Sequence, residues 1–184
     1  MPPLHSTIVP LGTVAHNFEL QGTDDKIYSL ESFVDKEVIV IIFMCNHCPY
    51  VKAVLERLID LQNKFSDRGV QLFGINPNDA TRYPDDSLDN MKIIAKEKGV
   101  SFPYLIDSSQ ETAKKYNAVC TPDLYVYGKE RKLLYRGRID DNWEYPAKVT
   151  KQDLKLALEN ILTGQLVASK QVPSMGCSIK WKIS

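Results

Sequence analysis

Two cysteines separated by two residues, Cys45 and Cys48, are the residues of this chain best suited to chemistry. They follow an apolar, β-branched run over 38–43, and an amphipathic stretch begins at Pro49. A strand is therefore predicted to end at the two thiols, and a helix to begin at or beside them. Amide N–H groups at a helix N-terminus stabilise anions, and the thiolate is the reactive form of cysteine. A Cys-x-x-Cys pair at this junction predicts thiol–disulfide chemistry.

The elements that must position these thiols follow an α/β pattern. A β-hairpin is predicted around the turn at 22–25, and residues 1–13 and the tail from about 165 to 184 are predicted to be irregular. The later predicted strands cover 38–44, 70–76, 102–106, 124–127 and 133–138, and the helices cover 48–67, 88–98, 109–116 and 152–162. This order predicts a central mixed sheet covered by helices.

Length and charge restrict the classes of protein that the chain can belong to. Its 184 residues suffice for a core without disulfide staples, and we predict a single domain over 1–184. The 23 basic and 23 acidic residues cancel, so neither nucleic acid nor an anionic membrane is an expected partner. No apolar run approaches membrane length and no signal peptide is visible, which predicts a cytoplasmic protein. Structural disulfides are uncommon there, so the four cysteines favour catalysis, redox sensing or metal binding.

Three features together make the chain resemble the thioredoxin-fold superfamily. They are the Cys-x-x-Cys after the first core strand, the Thr121-Pro122 pair before the following strand, and the closing hairpin and helix. The early hairpin and a helix–strand insert at 88–106 narrow the resemblance to the alkyl hydroperoxide reductase/thiol-specific antioxidant (AhpC/TSA) branch. Within it, the chain is most similar to peroxiredoxin-like proteins with a C-N-H-C-P motif, here 45–49, and a G-C-S-I-K-W segment, here 176–181.

The resemblance implies a fold and a division of roles. The expected fold is a three-layer α/β/α thioredoxin-like fold with a central mixed β-sheet, an N-terminal β-hairpin extension and a helix–strand insert. Cys45 would be the exposed nucleophile, and Cys48 the more buried thiol that resolves the mixed disulfide. Pro122 would be a cis proline beside the thiols, and the backbone at Thr121 would pair with a bound thiol substrate as an added strand.

His47 lies between the two cysteines and is a candidate catalytic residue. A protonated imidazole there would favour the Cys45 thiolate, lower its pKa and make the disulfide more oxidising. The alternative is a solvated histidine with little effect. The acidic pair Asp85-Asp86 lies in a polar loop over 77–87 and is interpreted as turn residues rather than as cation ligands.

The other two cysteines are possible additional redox thiols. Cys120 precedes Pro122 by two residues, so it is a third redox thiol, a metal ligand or a small core residue. Cys177 lies in the tail, where a mobile thiol could reach back as a resolving partner, and a bland structural role is the alternative. Thr121 either orients substrate backbone through its hydroxyl or simply fits an extended residue before proline.

Three functions compete on these residues. The leading one is a thiol–disulfide oxidoreductase acting on protein or small-molecule thiols and disulfides, with no cofactor and no metal. The second is an antioxidant thiol peroxidase, which Cys48-Pro49 favours; the peroxiredoxin motif's proline would fall at Ile41, however, and Thr121-Pro122 replaces its arginine. The third is a metal-binding or metallochaperone module, with Cys45, His47, Cys48 and either Cys120 or Cys177 as ligands. The oligomeric state and the physiological substrate stay open.

Overall fold

A seven-stranded mixed sheet forms the centre of the computed structural model, which describes residues 3–183. The strands of the protein are β1 Leu4–His5, β2 Glu19–Gly22, β3 Ile27–Ser29, β4 Val38–Phe43, β5 Val70–Asn76, β6 Tyr104–Ile106, β7 Cys120–Thr121, β8 Asp123–Tyr127, β9 Leu133–Tyr135 and β10 Met175–Ser178. The central sheet has the order β3-β2-β6-β5-β4-β8-β9. Strands β4, β5 and β6 are parallel, and β2, β8 and β9 pair antiparallel with their neighbours.

The helices cover both faces of this sheet. They are α1 Pro49–Phe65, α2 Leu88–Lys98, α3 Glu111–Lys115 and α4 Asp153–Leu162. Helices α1, α2 and α4 contribute residues such as Leu58, Met91 and Leu158 to one core cluster with Val40 and Ile42 of β4. The alternate β4 side chains, Phe43 among them, pack against the α3 side of the sheet. Because β4 is buried on both faces, it needs the continuous apolar run that the sequence shows. The predicted three-layer fold is confirmed.

Helix α1 begins where the sequence predicted a helix at the second thiol. Cys48 is its N-cap residue and Pro49 occupies the first turn, where a missing N–H costs no helical hydrogen bond. The chain continues through a 3-10 turn over Ser66–Arg68 to Gly69, whose φ of +79° is a conformation that glycine adopts without strain. The positive end of the α1 dipole therefore lies at the Cys-x-x-Cys motif.

Two segments that were predicted to be irregular contain strands. Strand β1 and strand β10 form a second, three-stranded sheet in the order β1-β10-β7, with antiparallel pairing throughout. The tail prediction is therefore wrong over Met175–Ser178. The segment lacks the alternating apolar pattern that predicts a strand. Its backbone pairs with residues far away in the chain, so the local sequence does not predict β10.

The predicted surface loop at 77–87 is also more buried than expected. Asn78, Asp79 and Asp86 are all buried, and a 3-10 turn covers Pro84–Asp86. Among residues 3–183, no helix combines the length and the apolar character that crossing a membrane requires. The predicted domain limits 1–184 include residues 1, 2 and 184, which lie outside the described part of the chain.

Candidate active site

The two motif cysteines lie between the end of β4 and the start of α1 as free thiols. The Cys45 side chain is 1% exposed and the Cys48 side chain is 0% exposed. The expectation that Cys45 is the exposed sulfur is therefore wrong for this conformation. The physical reason is that β7 packs directly over the motif, so that Thr121 contacts both sulfur atoms.

Thr121 and Pro122 lie beside the dithiol, as the resemblance implied. The Sγ of Cys45 is 3.4 Å from the Oγ1 of Thr121. The Cys48 thiol donates to the carbonyl oxygen of Thr121 over 3.1 Å. The peptide bond between Thr121 and Pro122 is cis, which confirms the predicted isomer. The structure thus brings four of the predicted site residues together.

The two thiols have opposite tendencies to ionise. A hydrogen bond from Cys45 to Cys48 is the main cause: it lowers the pKa of Cys48 and raises the pKa of Cys45. Burial would raise the pKa of Cys48, but Cys177 and the amide of Val51 in the first turn of α1 also lower it. The surroundings therefore favour ionisation of Cys48 over ionisation of Cys45.

His47 is held by a carboxylate that the sequence analysis had interpreted as a turn residue. Its Nδ1 is 2.6 Å from the Oδ2 of Asp86, whose side chain is 0% exposed. This bond is the main reason that the pKa of His47 is raised, although partial burial opposes it. The ring also stacks on Tyr83, with centroids 5.6 Å apart. His47 is thus held in one orientation rather than freely solvated. The expectation that it lowers the pKa of Cys45 is wrong, because the hydrogen bond to Cys48 and burial raise that pKa.

Asp86 is the functional residue that sequence reasoning missed. Burial would raise its pKa, but hydrogen bonds from His47, from the amide of Asn78 and from the Asn46 backbone N–H lower it. The last two bonds are each 2.7 Å long. The motif and Asp86 are about forty residues apart in the chain, so local spacing cannot pair them; an Asp-rich loop after a core strand was the available signal.

The structure brings together three side chains that could hold a metal ion, and they differ from the predicted set. Cys45, His47 and Asp86 offer ligand atoms that all lie within 4.8 Å of one another. The predicted ligand set contains Cys45, His47 and Cys48, with either Cys120 or Cys177, and does not include Asp86. In the structure the His47 and Asp86 atoms already form an ion pair, and this pairing accounts for their closeness.

Cys120 is a core thiol. It is 0% exposed, and its sulfur lies 3.9 Å from the carbonyl oxygen of Pro122. Burial is the main cause that raises its pKa, and the Asp123 charge adds to the effect. The side chain of Asp123 is paired with Arg136 over 3.0 Å, inside the protein. This environment disfavours a Cys120 thiolate, so the structure favours the bland interpretation of this residue.

Cys177 is placed beside the motif. It lies on β10 opposite Thr121, and it is hydrogen-bonded to Cys48. Burial is the main cause that raises its pKa to about 11, and the neighbouring Cys48 contributes. Cys177 therefore packs against the core cluster that contains Cys45 and Cys48. Cys177 was expected to reach the motif through a mobile tail. Mobility is not needed, because the pairing of β10 with β7 already places Cys177 beside the motif.

One cavity is lined by Cys45, and a second lies beside Pro122. One of about 310 Å³ opens next to Cys45, between α1 and α2, and is lined by Leu55, Ile94 and Tyr104 among others. Another of about 260 Å³ lies beside Pro122 and is lined partly by Trp143. Cys45 is among the residues that line the first cavity.

The fold and the site define a protein of the thioredoxin-fold class, with a Cys-x-x-Cys pair at the head of a helix. Residues 11–136 match the model of the AhpC/TSA family, and the chain belongs to that family. Family and fold together support a thioredoxin-like redox function. No curated protein matches the chain significantly.

Solved structures agree with this placement. An uncharacterized conserved protein from Geobacillus kaustophilus is 45% identical, with a TM-score of 0.94 and coverage of 100% of this chain and 98% of that one. A hypothetical protein from Sinorhizobium meliloti 1021 is 38% identical, with a TM-score of 0.94 and coverage of 98% and 99%. A thiol:disulfide interchange protein from Chlorobium tepidum TLS is 18% identical, with a TM-score of 0.62 and coverage of 86% and 98%, and shows likeness of fold alone.

Proposed function

We propose that this chain is a thiol–disulfide oxidoreductase in which Cys45 is the nucleophile and Cys48 the resolving thiol. The observation that carries the proposal is the hydrogen-bonded pair of free thiols at the N-terminus of α1, in contact with Thr121. Dithiol exchange needs two sulfurs close enough to bridge and one that ionises near neutral pH. Its substrates would be protein or small-molecule disulfides and thiols.

The geometry supports this division of roles through access and proton transfer. Cys45 is 1% exposed but lines the cavity between α1 and α2, so an incoming disulfide would reach it where this cavity opens locally. As Cys45 attacks, its proton passes along the existing hydrogen bond to Cys48, and the substrate thiolate leaves. Cys48 then gives up this proton and attacks Cys45 Sγ, which forms the Cys45–Cys48 disulfide and releases the second substrate thiol.

The residues around the pair support the charge that the reaction needs. The imidazolium of His47, fixed by Asp86, places a positive charge near Cys48, and the Val51 amide of α1 adds a partial one. The Thr121 hydroxyl lies within 3.4 Å of Cys45, where it can donate to a developing thiolate. We assign Thr121 and Pro122 to the wall against which a substrate is oriented.

Single cysteine variants test the proposal. Cys45→Ser is expected to lose rapid exchange with a model peptide disulfide, because the attacking sulfur is gone. Cys48→Ser is expected to accumulate a mixed disulfide on Cys45, since nothing resolves it. Trapping followed by mass spectrometry identifies the adduct, and Cys120→Ser is the matched control. Full exchange activity in Cys45→Ser would show that the assignment is wrong.

A thiol peroxidase is the second candidate, and one observation favours it. Cys48 is the N-cap residue of α1 directly before Pro49, and its pKa is lowered there. A peroxidase would form sulfenic acid on Cys45 or Cys48 rapidly with dilute hydrogen peroxide. The rate of sulfenic acid labelling decides: a rate no faster than that of free cysteine removes this candidate.

A further inference from the structure

The short strand β7 lies next to the dithiol and pairs along one edge with strand β10 of the C-terminal tail. Cys177 lies opposite Thr121 in an antiparallel register, and Ser178 lies opposite Cys120. Thr121 is also the residue that contacts both motif sulfurs. A strand that pairs here places one of its side chains against the dithiol, because side chains alternate along a strand. In this protein that side chain is a cysteine.

The residue before Cys177 has to be glycine for the tail to approach this closely. A Cβ atom on Gly176 would lie 1.9 Å from the carbonyl oxygen of Thr121 and 3.0 Å from the nitrogen of Pro122. Side-chain atoms do not occur at such distances from backbone, so any other residue would push β10 away from β7. Gly176 therefore sets the depth at which Cys177 lies.

The tail is fastened on both sides of Cys177. On the outer side, β1 pairs with β10 through Leu4 and Gly176, and the backbone N–H of Ser6 donates to the carbonyl of Ser174 over 3.0 Å. Beyond the strand, the backbone N–H of Lys180 donates to the side chain of Asn78 over 2.9 Å. The Cys177 sulfur is thus held at the motif and does not depend on a mobile tail.

The three sulfurs have a definite order. Cys177 lies opposite Thr121, whose carbonyl oxygen is 3.1 Å from the Cys48 sulfur, and Cys48 interacts with both Cys45 and Cys177. A thiol that attacks a disulfide approaches one sulfur while the other leaves. When Cys45 and Cys48 are joined, the sulfur next to Cys177 is that of Cys48, and Cys45 is the leaving group.

We propose that Cys177 is a third redox thiol, which takes over the disulfide from the Cys45–Cys48 pair by exchange at Cys48. This inference rests on the proposed oxidoreductase function. The Cys177 sulfur attacks the Cys48 sulfur, a Cys48–Cys177 bond forms and the Cys45–Cys48 bond breaks. The proton of the Cys177 thiol passes to the departing Cys45 sulfur. No external oxidant is consumed in this step, and Cys45 is regenerated as a thiol while the protein keeps its two-electron oxidation.

The test is disulfide mapping after equilibration of the full-length chain in glutathione buffers of graded ratio, with acid quenching and alkylation. The oxidised wild type is expected to contain both the Cys45–Cys48 and the Cys48–Cys177 bonds. Cys45→Ser is expected to form the Cys48–Cys177 bond. The half-buried Cys177 first forms a mixed disulfide with glutathione, and Cys48 then attacks the Cys177 sulfur and releases glutathione in its thiol form. Cys177→Ser is expected to contain only the Cys45–Cys48 bond.

A glycine pair tests the dependence on β10. Gly176→Ala is expected to lower the amount of Cys48–Cys177 bond at least about tenfold, because the added Cβ displaces the strand. Gly164→Ala is the matched control, since Gly164 has no heavy atom within 4 Å of its would-be Cβ; its φ of +71° makes the change mildly strained without touching β10. Unchanged bond formation in Gly176→Ala would overturn the role of the strand, and circular dichroism checks that each variant folds.

The outcomes separate the two proposals. A Cys45–Cys48 bond in the wild type, with only glutathione adducts in Cys45→Ser, would overturn the role of Cys177 and leave the oxidoreductase function standing. The absence of a Cys45–Cys48 bond at every glutathione ratio would overturn both proposals.

Discussion

Cys48 and Cys120 are equally buried, yet their surroundings act on their ionisation in opposite directions. Both side chains are 0% exposed. The pKa of Cys48 is lowered, chiefly by a hydrogen bond from Cys45, whereas the pKa of Cys120 is raised, chiefly by burial. Burial alone therefore does not determine which thiol of this protein can react.

The difference lies in the groups that face each sulfur. Cys48 faces two further thiols and the Val51 amide at the N-terminus of α1, all of which stabilise a negative charge. Cys120 faces the Pro122 carbonyl oxygen and has the Asp123 charge nearby, both of which oppose one. Two cysteines on neighbouring elements thus become a reactive group and a core residue.

The largest expected difference is between two single variants, in which either Cys48 or Cys120 is replaced by alanine. Cys48→Ala is expected to lower the turnover of dithiol–disulfide exchange by at least about a thousandfold, because the mixed disulfide on Cys45 can no longer be resolved within the motif. Cys120→Ala is expected to stay within about twofold of wild type and to lose on the order of 1 kcal/mol of stability from the vacated volume. Initial rates and urea unfolding measure both. Equal rate losses in the two variants would break the comparison.

A smaller effect is expected when the charge that orients His47 is removed. Asp86→Asn takes away the carboxylate that raises the pKa of His47, so this pKa is expected to fall, as NMR titration of the ring would show. The ion pair stabilises the fold at pH values between the lowered pKa of Asp86 and the raised pKa of His47. In this pH range Asp86→Asn is expected to lose the most stability, on the order of 1–3 kcal/mol.

The stability difference between wild type and Asp86→Asn is expected to depend on pH in a definite direction. The stability difference between wild type and Asp86→Asn is expected to shrink as pH rises through the His47 pKa, where the imidazolium is lost. It should also shrink at acid pH, where Asp86 becomes protonated in the wild type. Chemical denaturation across pH 2 to 9 measures it, with Asp85→Asn as the matched control. A stability difference that does not vary with pH would contradict the ion pair.

The smallest effect is expected at Thr121. Thr121→Val keeps the shape of the side chain and removes the hydroxyl 3.4 Å from the Cys45 sulfur. One hydrogen bond of this kind is worth about 0.5–1.5 kcal/mol, so the rate of attack by Cys45 should fall up to about tenfold. The pH profile of the reaction should shift upward, since the hydroxyl lowers the pKa of Cys45. An unshifted profile would assign Thr121 a packing role only.

Most of the secondary structure could be predicted from local pattern. Strand β5 and helix α2 lie where the apolar periodicity placed them, and Gly69 and Gly99 follow their helical segments in left-handed conformations. The errors fall on segments whose structure depends on distant partners. The polar loop at 77–87 is buried through hydrogen bonds, which hydropathy does not report.

The sequence by itself determined the chemistry-bearing motif. Two thiols between an apolar strand and an amphipathic helix can be identified without a structure, because strand, motif and helix are contiguous in the chain. What only the tertiary structure decided is the environment of those thiols. Asp86 reaches His47, and Cys177 reaches Cys48, through pairings between segments far apart in sequence. Hydrogen bonds and the pKa values that they set depend on distances of a few ångströms, which residue spacing along the chain does not encode.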